Sequence, residues 1–388
     1  MNDSMHLGMA EAIRLTRAGQ LTEATAHIQR TLRSRLAPAA ASDPSGRATA
    51  GAVDVPCRVA RRLPEKGFGQ PAPGSRWGRV RREKEIEGQF IQGAYTNPAG
   101  TRAYKLYIPS GYHGQAVPLV VMLHGCTQNP DDFAAGTRMN ELAEQHQFLV
   151  VYPAQTIAAN PSQCWNWFQA AHQHPDRGEP SLLAGITRQL LSAYSINARQ
   201  VYVAGLSAGG AMAMILGVSY PEIYAAIGVH SGLAYGAAHD LPSAFAAMRH
   251  GGEAAAAQRG ARPAVETGPQ LIPTIVFHGD RDTTVHPRNA DQVLAHWAQR
   301  YAGGGPDTGA GTKLRVTVSR GQAPGGRAYT RARYHDANGH TVLERWLVHE
   351  AGHAWFGGSP DGSFTDPQGP DASQAMIHFF YHQPPRAL

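Results

Sequence analysis

The sequence contains no long hydrophobic run. A membrane-spanning helix needs roughly 20 consecutive apolar residues, whereas the longest candidate segment, residues 117–123, has only the length of a strand. The N-terminus also lacks the pattern of a secretory signal peptide, because Glu11, Arg14 and Arg17 interrupt its apolar positions. These two absences argue against an integral membrane protein and, taken alone, predict a cytoplasmic one.

Cysteine is scarce, with three residues in a chain of 388. Cys57, Cys126 and Cys164 are too few for a disulfide scaffold, and they lack the Cys-x-x-Cys spacing typical of metal sites. At most one bridge can form, and we favour a pairing of Cys126 with Cys164. Such a bridge needs an oxidising compartment, which is at odds with a cytoplasmic location. The sequence therefore predicts no metal site and leaves the compartment open.

Strong charge is absent from most of the chain. The formal net charge is +6, but residues 58–84 alone hold nine basic and two acidic side chains, so the remainder is close to neutral. Such a short basic segment favours a solvated linker over a nucleic-acid-binding surface. Hydrophobic residues at 42% and charged residues at 16% exclude a fully disordered chain and a coiled coil. We expect neither a nucleic-acid nor a membrane partner.

Three regions differ in composition. Residues 1–36 show helical spacing, with Leu21, Ala24 and Ile28 on one face, and are predicted to form a helical hairpin. Residues 37–87 are rich in Ala, Pro, Gly, Ser and Arg without a sustained period, which predicts a disordered linker. Residues 88–388 carry the strand and helix patterns of one large catalytic domain.

Short apolar runs alternate with helix-length segments in the third region. Strands are predicted at residues 119–123, 148–152, 201–204, 225–230, 274–278 and 341–348, and helices at 131–145, 182–195, 208–220, 287–300 and 371–381. Two earlier strands, at 89–96 and 101–108, are expected to pair antiparallel. Residues 234–270 and 303–326 are predicted to be loop-like insertions. Continuous apolar strands separated by helices predict an α/β fold whose mostly parallel sheet has helices on both faces.

A Gly-x-Ser-x-Gly motif occupies residues 205–209, directly after a predicted strand and directly before a predicted helix. This context is that of a nucleophile elbow, in which a serine stands at the sharp turn between a strand and a helix of an α/β-hydrolase. Glycines at 205 and 209 let the backbone turn tightly, and larger residues there are expected to clash. We therefore predict that Ser207 is a nucleophile.

A serine hydroxyl is a weak nucleophile, so a carboxylate and a histidine should follow it in chain order. Residues 278–285 follow a strand and contain two carboxylates, of which Asp282 is assigned to orient the base and Asp280 is the alternative. His353 lies on a Gly-rich loop after the last predicted strand and is the predicted base. His340 and His349 flank that strand and are assigned to the surface or to packing.

An oxyanion hole needs two backbone N–H groups aimed at developing negative charge. One is assigned to Ala208, directly after the nucleophile, and the other to Cys126, on the loop after the strand at 119–123. Aromatic residues also follow Cys164 and His353 in the chain. Trp165 and Trp355 are the candidates for an apolar substrate-binding wall, with core packing as the alternative.

Four motifs occur in order along the chain. They are Leu-His-Gly-Cys-Thr-Gln at 123–128, Cys-Trp-Asn-Trp-Phe at 164–168, Gly-Leu-Ser-Ala-Gly-Gly at 205–210 and Gly-His-Ala-Trp at 352–355. Together they resemble the polyhydroxybutyrate depolymerase family of esterases, which includes feruloyl and acetylxylan esterases, over about residues 96–380. The resemblance implies an α/β-hydrolase fold and an extracellular location. It further implies the triad Ser207, Asp282 and His353, the oxyanion donors Cys126 and Ala208, and a disulfide between Cys126 and Cys164.

The expected activity is hydrolysis of a carboxylic ester through an acyl-enzyme, without metal or organic cofactor. Short-chain hydroxyalkanoate polyesters or oligomers are the first substrate class, and feruloyl or acetylxylan esters are the alternative. A peptidase of the prolyl-oligopeptidase type is disfavoured, because no N-terminal propeller is evident. A non-catalytic binding protein that uses the basic segment is the rival from another class. The ester substrate is the only predicted partner, and the sequence predicts no oligomeric state.

Overall fold

The computed structural model describes residues 88–251, 272–302, 314–324 and 326–384. The predicted hairpin at 1–36 and the linker at 37–87, with its basic segment, lie outside the described residues. None of the helices in the described ranges is long and apolar enough to cross a membrane.

Ten strands form one sheet in the described part of the chain. They are β1 (Gln89–Asn97), β2 (Gly100–Ile108), β3 (Val117–Leu123), β4 (Leu149–Pro153), β5 (Ile196–Leu206), β6 (Ala226–His230), β7 (Thr274–Gly279), β8 (Arg315–Gln322), β9 (Ala328–His335) and β10 (Thr341–Val348). Their spatial order is β1-β2-β4-β3-β5-β6-β7-β10-β9-β8. The six central strands in this spatial order, β4-β3-β5-β6-β7-β10, run parallel to one another. At the two edges, β1 with β2 and β9 with β8 pair antiparallel, and β2 and β9 also pair antiparallel with the central strands beside them. A separate pair is formed by β11 (Trp355–Phe356) and β12 (Thr365–Asp366).

Seven α-helices are described. They are α1 (Pro130–Thr137), α2 (Met139–His146), α3 (Gly178–Ala193), α4 (Ala208–Ser219), α5 (Leu241–His250), α6 (Arg288–Ala302) and α7 (Ala372–Tyr381). The hydrophobic core consists of two clusters, and alternate side chains of β3 enter different ones: Val121 joins the cluster that includes α3 and α4, and Val120 joins the cluster that includes α1, α2 and α7. Because successive strand side chains point to opposite faces, the sheet has helices on both faces, as the continuous apolar strands predict.

The fold departs from the predicted elements in three places. The helix expected at 131–145 is divided, because Arg138 adopts a left-handed backbone (φ 55°) that ends α1 and precedes α2. The segment expected to be loop-like at 303–326 contains β8, and β9 has no counterpart among the predicted strands. Both strands lie at the sheet edge and carry few buried side chains, so they lack the apolar pattern of a buried strand. Helix α5 lies within the predicted insertion at 234–270.

Candidate active site

The Gly-x-Ser-x-Gly segment forms a sharp turn between β5 and α4. Ser207 stands alone between the two elements with φ 56° and ψ −117°, a backbone conformation that side-chain-bearing residues rarely adopt. Its N–H donates to the carbonyl of His230 at the end of β6 (2.9 Å), and its own carbonyl accepts from Ala211 (3.0 Å). Neighbouring backbone thus holds the strained turn in place.

The glycines of this turn have no room for a side chain. A Cβ placed on Gly209 would lie 2.0 Å from the carbonyl oxygen of Leu123, and a Cβ on Gly205 would lie 2.4 Å from the carbonyl carbon of Gly209. Both neighbours are backbone atoms, so a side chain could not be accommodated by a rotamer change. A larger residue at either position would therefore clash, as the sequence predicts, because β3, β5 and α4 approach each other closely.

Asp282 and His353 are brought together from loops 71 residues apart in the chain, with His353 Nδ1 at 2.7 Å from Asp282 Oδ2. The other carboxylate oxygen, Oδ1, accepts the N–H groups of Thr284 (2.9 Å) and Val285 (2.8 Å). Burial alone would raise the pKa of Asp282, but hydrogen bonds and charge interactions with His278 and His353 hold it well below its usual range. A carboxylate that stays ionised requires His353 Nδ1 to be the donor.

The alternative carboxylate, Asp280, faces other partners. Its Oδ2 lies 2.9 Å from Nδ1 of His349, and its Oδ1 accepts the N–H of Glu350 (2.7 Å). His349 also reaches the hydroxyl of Thr330 through Nε2 (2.9 Å). Asp280 thus fastens the end of β10 to the loop after β7, whereas Asp282 contacts His353.

The proposed oxyanion loop lies against the elbow. A Cβ on Gly125 would be 3.6 Å from Cβ of Ser207. Neither Cys126 nor Ala208 donates its N–H to an acceptor within the described residues, and Ala208, as the first residue of α4, has no intrahelical acceptor. Two candidate donors for an oxyanion are therefore available beside Ser207, as an oxyanion hole needs.

His124 supports this loop from the interior. Its Nε2 accepts the N–H of Gln155 (3.1 Å), and its Nδ1 lies 2.8 Å from the carbonyl of Gly125. The pKa of His124 is lowered to about 4, because the effect of burial is larger than the opposing effects of the hydrogen bond to Gly125 and the charge of Asp132. The ring is therefore neutral near neutral pH, with one nitrogen accepting and the other donating.

His230 contacts both halves of the site and was not singled out from the sequence. Its carbonyl receives the N–H of Ser207, and its Nε2 accepts the N–H of Phe356, three residues after His353 (3.1 Å). Its ring stacks on Trp355 with 4.9 Å between centroids. Burial, with contributions from His278 and His353, holds the pKa of His230 well below its usual value. The one feature of the sequence that could have pointed to His230 is its position, as a polar residue at the end of a buried strand.

Cys126 and Cys164 form a disulfide that closes over 38 residues. The N–H of Thr127 adds a hydrogen bond to the carbonyl of Ser162 (2.7 Å). The segment at 162–164 therefore holds the loop after β3, which contains Cys126 and Thr127, by one covalent bond and one hydrogen bond.

Replacing Cys164 by serine is expected to lower the free energy of unfolding by about 4 kcal/mol, the loop-closure entropy of a bridge spanning this many residues. Thermal unfolding of Cys164→Ser beside Cys57→Ser, which leaves the bridge intact, measures the difference. Titration of the unfolded, unreduced wild type should find one free thiol, and a count of three would contradict the bridge.

Trp165 and Trp355 are both in the interior. Their exposed fractions are 0% and 1%, and their indole nitrogens donate to the carbonyl of His124 (3.1 Å) and the hydroxyl of Ser373 (3.0 Å). Side chains without exposed surface do not form the wall of an open cleft. Both rings therefore pack in the core, which is the alternative interpretation. Trp165 is bonded to His124 at the start of the loop after β3, and Trp355 lies two residues after His353.

No cluster of three His, Cys, Asp or Glu side chains suited to a metal ion occurs in the described ranges. The polar groups of the site are the serine, the Asp282–His353 pair and backbone N–H groups.

The comparisons with known proteins agree with the resemblance found in the motifs. The family described as esterase PHB depolymerase matches residues 102–316. Poly(3-hydroxyalkanoate) depolymerase C of Paucimonas lemoignei is 32% identical over 263 residues, which cover 66% of this chain and 59% of that protein. Acetylxylan esterase A of Talaromyces purpureogenus is 28% identical over 290 residues, covering 71% and 72%.

The solved structures include a similar fold. Acetyl xylan esterase from Aspergillus awamori superposes with a TM-score of 0.55 at 19% identity, over 75% of this chain and 99% of that one. This likeness shows an α/β-hydrolase fold. Because the family match extends over more than half of the chain, the protein belongs to the PHB depolymerase family of esterases.

Proposed function

We propose that the protein is a serine carboxylic-ester hydrolase that works through an acyl-enzyme. The observation that carries the proposal is the 2.7 Å contact between Asp282 and His353. The same fold presents Ser207 on a strained elbow beside the N–H groups of Cys126 and Ala208, which have no acceptor in the part of the chain that the structure describes. A nucleophile, an oriented base and oxyanion donors are the components that acyl transfer requires.

The proposed mechanism follows from the hydrogen bonds of His353. Since Nδ1 donates to Asp282, Nε2 carries the lone pair and can accept the proton of the Ser207 hydroxyl. The serine oxygen then attacks the ester carbonyl, and the resulting oxyanion receives the N–H groups of Cys126 and Ala208. His353 gives the proton to the leaving alcohol. Water, deprotonated in turn by His353, hydrolyses the acyl-enzyme and releases the acid.

We propose short-chain hydroxyalkanoate polyesters or their oligomers as the substrate. The match to a relative named poly(3-hydroxyalkanoate) depolymerase supports this assignment, although the chain spans 59% of that relative's length. The second candidate is an acetylxylan or feruloyl ester, supported by relatives named acetylxylan esterase A and, in Neurospora crassa, feruloyl esterase B.

A matched substrate panel separates the candidates. We expect the wild type to hydrolyse hydroxybutyrate trimer with a kcat/KM at least about tenfold above methyl ferulate and acetylated xylan, a difference of about 1.4 kcal/mol in transition-state binding. The acid released is measured by titration at constant pH, and Ser207→Ala supplies the background for each substrate.

Each outcome of the panel has a distinct meaning. A preference for acetylated xylan or methyl ferulate would replace the polyester assignment and keep the esterase chemistry. Equal inactivity of wild type and Ser207→Ala on every ester would contradict the proposed function and favour the binding-protein alternative.

A further inference from the structure

We propose that Gln128 is a positioning residue, whose side chain orients the oxyanion loop so that the Cys126 N–H is directed at the acyl oxygen. The inference rests on the proposed ester hydrolysis and assigns a role to a residue that does not itself touch the substrate. Gln128 is 1% exposed and follows Cys126 by two positions.

Gln128 bonds the loop after β3 through both its side chain and its backbone. Its Oε1 accepts the N–H of Gly125 (2.9 Å), and its backbone N–H donates to the carbonyl of Gly125 (3.3 Å). The N–H of Thr127 is bonded to Ser162. Of the four N–H groups between residues 125 and 128, only that of Cys126 has no acceptor among the described residues.

The far end of the Gln128 side chain bonds two other segments of the fold. Nε2 of Gln128 donates to Oδ2 of Asp132 (2.9 Å) and to the carbonyl of Ser363 (3.0 Å). Asp132 also accepts the N–H of Ser363 (2.8 Å) and its hydroxyl (2.6 Å). Ser363 belongs to the loop between β11 and β12, and β11 begins two residues after His353. One buried amide therefore connects the oxyanion loop with α1 and with the segment that carries the base.

The chemistry of these contacts requires an amide. Gly125 N–H needs an acceptor, whereas the Asp132 carboxylate and the Ser363 carbonyl need donors, so only one orientation of the Gln128 amide satisfies all three. A buried donor or acceptor left unpaired costs the free energy of its desolvation. Rotation of the 124–125 peptide would leave the Gly125 N–H unpaired, so the side chain holds this peptide in one orientation. The next peptide, which carries the Cys126 N–H, is held through its Gly125 carbonyl by the backbone N–H of Gln128 and by His124 Nδ1.

Two variants test the role. Gln128→Met keeps the volume and removes every side-chain hydrogen bond of this residue, so the loop can reorient. Gln128→Glu keeps the acceptor for Gly125 but places a second carboxylate against Asp132. When protonated, this glutamic acid donates to Asp132 again, so acid should restore the arrangement. Gln189→Met, the same change at an exposed position of α3, is the matched control.

We expect Gln128→Met to lower kcat by about 100-fold, as loss of one oxyanion donor does, with KM changed by less than about threefold. Affinity for a short-chain trifluoromethyl ketone, which forms a tetrahedral adduct with a serine, should fall by a similar factor. Affinity for the corresponding carboxylic acid should not change. The ratio of kcat for Gln128→Glu to that of wild type should rise as the pH is lowered from neutrality.

The outcomes separate this proposal from the function on which it rests. If the wild type is active and the folded Gln128→Met variant has the same kcat, the positioning role is overturned and the proposed function is not. A loss confined to KM, or a trifluoromethyl ketone affinity equal to that of wild type, also overturns it. If Gln128→Met does not fold, a pH-independent ratio for Gln128→Glu decides against the proposal. A wild type inactive on every ester overturns the proposed function as well.

Discussion

Replacing Ser207 by alanine is expected to lower kcat by about 10⁶-fold, the loss seen when the nucleophile of a serine hydrolase is removed. The change deletes one oxygen atom, and alanine meets the same backbone restriction at φ 56°, so stability and ground-state binding should be close to those of wild type. Hydrolysis of p-nitrophenyl acetate and of hydroxybutyrate trimer measures the loss.

Covalent labelling adds a direct readout for the same prediction. A fluorophosphonate should add one group to wild type, with the mass increase on the peptide that contains Ser207, and none to Ser207→Ala. Ser192→Ala, which removes an exposed hydroxyl from α3, should be labelled like wild type. Labelling of Ser207→Ala at the wild-type rate would show that the nucleophile is elsewhere.

The elbow could be predicted from the sequence because its determinants are local. Backbone atoms within a few residues, or on the neighbouring strand, leave no room for a side chain at Gly205 and Gly209. Such close approaches require glycine, so they are visible in the motif itself. The sheet was predictable for a related reason, since strands buried on both faces are continuous apolar runs.

Features that depend on partners far along the chain could not be predicted in this way. Trp165 and Trp355 follow site residues in the chain, but whether an indole faces a cleft or the core depends on Phe133 and His230, which pack against Trp355 from other elements. The break at Arg138 falls on a residue that is neither glycine nor proline, and Gly136, two positions earlier, lies inside α1. The networks of Gln128 and Ser363 join residues 235 positions apart, which no local pattern encodes.

Replacing Asp282 by asparagine is expected to lower kcat by about 10⁴-fold, the effect of this change in serine hydrolases with such a triad. The amide oxygen of the introduced side chain would remain with the N–H groups of Thr284 and Val285, which now bond Oδ1 of the aspartate. The NH₂ group would then face Nδ1 of His353. That nitrogen would have to accept, so the imidazole proton would move to Nε2, and the lone pair that takes the serine proton would be lost.

Asp280→Asn is the matched control, because it makes the same substitution two residues earlier in the same loop. Its bonds run to His349 and to the N–H of Glu350, so we expect kcat within about threefold of wild type and a fall in the free energy of unfolding of about 1 kcal/mol. Steady-state kinetics and thermal unfolding of both variants check this contrast. A large loss of kcat in Asp280→Asn with a small one in Asp282→Asn would reverse the assignment. Because the two carboxylates share one loop but bond different histidines, the comparison separates orientation of the base from stability of the loop.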